Sequence, residues 1–145
     1  MAGLLTSDPV AQTVRRWAAE PFVWGTSDCA MSVMGHVERV TGRTWTRDWH
    51  WSSRIGALRT ARTAGGFLAT FSFAVQGMGC IPTEAPARDD IGIVELPEVG
   101  PAAALCLGSS SGELLWACKG EREVIVIPAP VLRAWTIGRQ SCPRP

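Results

Sequence analysis

The chain has 145 residues, 46% of them hydrophobic and 19% charged, with a formal net charge of +1. That balance fits one globular domain with a core and excludes a disordered chain. The near-zero charge removes the electrostatic case for nucleic acid or an anionic membrane, and no apolar run reaches membrane-spanning length.

In chain order, the start MAGLLTSDPVAQ lacks a basic stretch followed by an apolar core, so a soluble product of the cytoplasm without a cleaved export signal is expected. A first helix is expected from Asp8, the N-cap, and Pro9, the first helical residue. Val10, Val14, Trp17 and Ala18 share one of its faces, and Pro21 ends it. Residues Phe22-Val23-Trp24-Gly25 are extended, and Ser27 or Asp28 caps a second helix. That helix carries Cys29, Val33, Val37 and Val40 as one stripe and stops at Gly42. An aromatic loop, RTWTRDWHWSS, runs from Arg43 to Ser53. A third helix is expected over Ser53 to Ala64, apolar at Ile55, Leu58 and Ala61, and a fourth over Phe67 to Met78.

Beyond Cys80 the character changes. Pro82 and Pro86 break the chain, and short β-like runs follow at 91–95, 103–107, 114–118, 124–127 and 134–137. Ala103 to Leu107 is apolar throughout, as in a strand buried on both faces. Gly108 to Gly112 reads as a hairpin loop, and Asp89-Asp90 as turn formers at a strand entrance. The fold class is α+β: N-terminal helices packed on a C-terminal antiparallel β-meander, in one domain over residues 1–138, with 139–145 as a loose tail.

The residue that bears most on chemistry is Cys29. A helix N-terminus presents unpaired N–H groups and a partial positive charge, which stabilise a thiolate and lower its pKa. Such a thiol still needs a base to take its proton and to return one to the leaving group. His36 follows on the same helix seven residues later, about 10 Å along the axis at ~1.5 Å per residue, beyond direct reach of the sulfur. His50, between Trp49 and Trp51, is the other candidate base. Asp28 is most simply an N-cap. The remaining cysteines, Cys80, Cys106, Cys118 and Cys142, have irregular spacing and no CxxC pair. They are expected to be small buried hydrophobes, with no disulfide framework, no metal site and no cofactor. Their spacing leaves open a metal or iron–sulfur centre completed by neighbouring subunits. Seven tryptophans and no tyrosine suit buried contacts, within the core or with partners. Trp45, Trp49 and Trp51, with Arg54 beside them, are the candidate partner-binding residues. Arg59 and Arg62 extend this as a solvated helix face.

Trp17, Pro21 to Gly25, Asp28-Cys29, Thr41-Gly42 and Asp90-Ile91, in this order, resemble the NlpC/P60 group of papain-like cysteine peptidases. They are most similar to the short versions encoded in tail-gene clusters of phages and gene transfer agents. The resemblance runs from about Trp17 to Ile137 and implies an NlpC/P60-like fold. It also implies a strand, here AAALCLG, whose first position in active members is the catalytic histidine. In this chain Ala102 holds that position, or Ala103 if the register slips by one. The glycine of the family's glycine-aspartate turn is also missing, since Asp89 precedes Asp90.

Three functions follow as expectations. The first is a structural component of a phage or phage-like tail tip or baseplate, a pseudoenzyme on a degenerate peptidase scaffold. It would contact hub, distal tail or fibre proteins and be assembled in the bacterial cytoplasm. The second is an active cysteine hydrolase cutting peptidoglycan peptides during cell entry, with Cys29 as nucleophile and His50 as base. The third is a tail-assembly chaperone. None calls for nucleic acid or membrane insertion.

Overall fold

Asp8 opens helix α1 (Pro9–Ala19) as expected: its carboxylate accepts from the Val10 N–H at 3.0 Å, and Pro9 occupies a position where no N–H is needed. The structure, a computed structural model, describes residues 8–44, 51–63 and 65–137, the side chains of 60–63 excepted. Helix α2 (Cys29–Thr41) is capped by Asp28 rather than Ser27, and it ends at Gly42 in the left-handed conformation, φ 75°. Helices α3 (Arg54–Thr63) and α4 (Phe67–Gly77) follow. No helix among the described residues is long and apolar enough to cross a membrane.

Six strands then form one antiparallel sheet: β1 (Ile81–Pro82), β2 (Ile91–Leu96), β3 (Gly100–Ser110), β4 (Glu113–Lys119), β5 (Val124–Ile127) and β6 (Val131–Thr136). Their spatial order is β1-β6-β2-β3-β4-β5, so the last long strand folds back beside the first. The result is α+β, four N-terminal helices followed by the sheet. Several details depart from the sequence expectation. Strand β1 is additional, β3 begins at Gly100 rather than Ala103, and Trp24 and Gly25 lie in a turn rather than an extended run. Two further differences have a clear physical cause. The β3–β4 connection is a two-residue turn, Ser111-Gly112, with φ of 54° and 83°, and not a loop over 108–112. Two consecutive left-handed residues match the right-handed twist of a tight hairpin. The strand runs on past the glycine because the ladder shifts register between Cys106 and Gly108 and then resumes at Gly108↔Leu115. Likewise β6 begins at Val131, three residues before the expected start, where the residues pair with β2 but face outward.

Both faces of the sheet are buried, as the unbroken apolar run in β3 requires. On the helix side Ile91, Ile93, Ala103, Leu105, Ala117 and Trp135 meet Val33 and Val37 of α2 and Phe71 of α4. On the other side Val94, Leu96, Ala102, Ala104 and Ala134 surround the fully buried Trp116. Small residues leave room for that indole: a Cβ on Gly92, two strands away, would stand 3.1 Å from the ring. Lys119, at the end of β4, is buried, and its ammonium donates to the carbonyls of Trp17 and Glu20. A cation there satisfies the orphan carbonyls at the α1 C-terminus and complements its dipole, so α1 is tied to the end of β4.

Candidate functional site

The approach to α2 is built around one carboxylate. Asp28 is 2% exposed. Its Oδ1 accepts from the Met31 N–H at 2.8 Å, and its Oδ2 accepts from the Gly25 N–H at 2.8 Å and from the Trp51 indole at 2.7 Å. An N-cap bond of this kind contributes about 1 kcal/mol. Here the same side chain also fixes the entry turn and the end of the aromatic loop. Gly25 has φ 83°, and a Cβ there would stand 1.8 Å from the Trp51 carbonyl oxygen. Only glycine allows that approach. The Gly-Thr-Ser-Asp-Cys segment is therefore an anchoring device before it is anything else.

Cys29 starts the helix as expected, half-buried and a free thiol, packed against apolar groups from both sheet faces. Burial dominates its chemistry and pushes the thiol up to about 11, with the neighbouring Asp28 charge adding to the rise. The N–H groups of Ala103, Ala30 and Cys29 itself favour the thiolate, but they do not offset the desolvation. The expectation of a helix-lowered thiol is thereby reversed: the helix terminus acts, and low dielectric wins. Ala103, on the helix side of β3 opposite Ile93, offers its N–H to the sulfur, whereas Ala102 faces the Trp116 side.

The second polar cluster lies two turns along α2. His36 is fully buried; its Nδ1 lies 2.6 Å from the Thr13 hydroxyl on α1, and its Nε2 lies 2.7 Å from Asp89 Oδ1. Both ring nitrogens are thus engaged, one by a helix and one by the turn before β2. Asp89 sits at φ 81°, a left-handed conformation that favours glycine. Asp90 behind it accepts from the Ala87 N–H at 2.8 Å and is buried at the strand entrance. The two aspartates are turn formers as expected, and the hydrogen bond between Asp89 and His36 is what the sequence reading did not foresee. A signal was present: Thr13 falls in register with buried Val10 and Trp17, and His36 lies between buried Val33 and Val37. Polar residues at buried positions of two packed helices need partners.

Of the other candidates, Trp51 is half-buried and bound to Asp28, and Arg54 is exposed at the start of α3. Trp45, Trp49 and His50 lie outside the described residues, as does Cys142. Ile55 and Leu58 of α3 are 67% and 53% exposed. Cys80, Cys106 and Cys118 are buried free thiols, all pushed up by desolvation, Cys80 and Cys118 to about 12.

Fold and site together define an α+β domain with a helix-initiating cysteine and, two turns away, a closed Thr–His–Asp cluster. Residues 6–137 match the family model described as a domain of unknown function, DUF6950, and the chain belongs to that family. No curated protein and no solved structure matches the chain.

Proposed function

We propose that this protein is a structural component of a phage or phage-like tail tip, built on an NlpC/P60-like scaffold whose peptidase chemistry has lapsed. The observation that carries the reading is the state of Cys29. Burial pushes its thiol up and so disfavours the thiolate further, and the described histidine spends both nitrogens on Thr13 and Asp89. A cysteine hydrolase needs a thiolate and a proton carrier beside it. The residues around Cys29 serve packing and anchoring instead. The tail assignment itself rests on the PFVWG and Asp28-Cys29 resemblance.

Contact with hub or fibre proteins falls to the surface after the aromatic loop. Trp51 is pinned there, Arg54 is exposed, and Ile55 and Leu58 present apolar side chains to solvent one turn apart. Aromatic and arginine anchors beside exposed apolar residues are the usual make-up of an interface core.

One observation favours the hydrolase as a second reading. Trp51 is bonded to Asp28, the neighbour of Cys29, and His50 is the residue before Trp51 in the chain. The two readings separate in purified particles. Cys29→Ala is expected to leave incorporation and delivery at the wild-type level, while the double change Ile55→Asp, Leu58→Asp abolishes incorporation. Delivery lost with Cys29→Ala in fully assembled particles would establish the hydrolase. Absence of the wild-type protein from mature particles would leave the assembly chaperone.

A further inference from the structure

A second polar pocket lies between α1 and α2, with a volume of about 330 Å³, and Cys29 does not line it. Helix α1 contributes Arg16, and Glu20 is its C-cap; helix α2 contributes Ser32, Gly35, Glu38 and Arg39. Trp17 and Met31 supply apolar surface. The α2 residues fall at helical spacing along one side of that helix, and Gly35 in their middle keeps the space open: the nearest atom to a Cβ there is Arg39 Nη1, at 3.4 Å.

Three features point to a ligand. Ser32 is 7% exposed, and its hydroxyl has no hydrogen-bond partner among the described residues. Such a group costs stability unless something completes it. Arg39 is exposed at the pocket's rim and, among the described residues, makes one long bond, 3.4 Å to the Thr13 hydroxyl, so most of its planar fork is open to a ligand from solvent. Partial desolvation and the nearby Arg16 disfavour its charge, while Glu20 and Glu38 favour it. Two carboxylates share the rim, Glu20, which pairs with Arg16 at 3.1 Å, and Glu38. A bare anion would meet those two acids and a bare cation the two arginines. A molecule carrying both charges suits all four.

We propose that this pocket binds a small zwitterion, with a carboxylate on Arg39 and an ammonium facing the glutamates, of amino-acid or dipeptide size. The volume lies at the small end of ligand pockets, which begin near ~300 Å³, and Trp17 and Met31 receive the aliphatic part. The proposal is independent of Cys29 and of the tail reading.

The test is amide NMR on the full chain, titrated into the millimolar range with L-alanine and with alanyl-alanine, and with acetate and inorganic phosphate as controls. At least one of the two zwitterions is expected to give saturable shifts at Ser32 and Gly35 and to bind more tightly than acetate or phosphate. Arg39→Ala should weaken that binding by at least about tenfold, the worth of a charged hydrogen bond. Gly35→Leu fills the pocket from the middle of α2 and should abolish binding while the spectrum away from α1 and α2 stays in place. No saturable shift with either zwitterion, tighter binding of phosphate, or unchanged affinity in Gly35→Leu would each overturn the proposal.

Discussion

Helix α2 carries two groups that an enzyme would pair, a thiol at Cys29 and an imidazole at His36, and they have gone to different ends. At the first turn, Cys29 has a helix terminus and the Ala103 N–H in its favour and still holds its proton up to about 11. Two turns on, His36 has a hydroxyl on one nitrogen and a carboxylate on the other, but no thiol. The difference teaches that residue type and helix position do not set reactivity. What faces the group does: apolar packing from both sheet faces around the sulfur, hydrogen-bonding partners around the ring.

The sharpest way to break the comparison is at the ring. His36→Ala leaves Thr13 and Asp89 without their shared partner and opens a cavity between α1, α2 and the β2 turn. Losing a buried bridging group of this kind should cost roughly 3 kcal/mol, read from the urea midpoint at constant slope. A loss under about 1 kcal/mol would mean that the cluster fills space and little else.

Next in size is the thiol. A rise from the ordinary 9.0 to about 11 leaves roughly a hundredfold less thiolate at neutral pH. Iodoacetamide labelling mapped to the Cys29 peptide should therefore be slow at pH 7 and climb until about pH 11, provided the fold holds. Because the folded value is raised, this thiol's contribution to stability is complete below pH 9 and is lost as pH rises through 11. Rapid labelling at pH 7 in the native protein would show an armed nucleophile and restore the hydrolase.

Most of the frame was legible in the sequence, because caps and periods are local. Asp8-Pro9, Asp28 and Gly42 mark helix ends through bonds made within a turn or two, and the unbroken run at Ala103 required a strand covered on both sides. Bulges and edges were harder. The Gly108 shift and the early start of β6 are set by pairing partners distant in the chain. The site was half legible. Cys29 at the helix start came from its neighbours, whereas the burial that pushes its thiol up comes from the sheet. The Thr13–His36–Asp89 cluster joins residues 23 and 53 positions apart, so the helical pattern reports that Thr13 and His36 are buried but not which partners they meet.

The smallest effect probes why an aspartate, and not a glycine, stands at the left-handed position of the turn before β2. Asp89 stands at φ 81°, where an L side chain is strained and glycine is not. The strain persists because the carboxylate reaches His36 at 2.7 Å, and a glycine could not. Asp89→Gly and Asp89→Ala both remove that bond, but only the alanine keeps the backbone penalty. Alanine should therefore be the less stable of the two by about 1 kcal/mol, with Asp89→Asn above both, since asparagine tolerates the left-handed region and can still bond to the ring. If Asp89→Gly proved more stable than the wild type in thermal unfolding, the bond to His36 would be worth less than the strain it holds. The aspartate would then need a reason outside the fold, such as a partner that touches its half-open side.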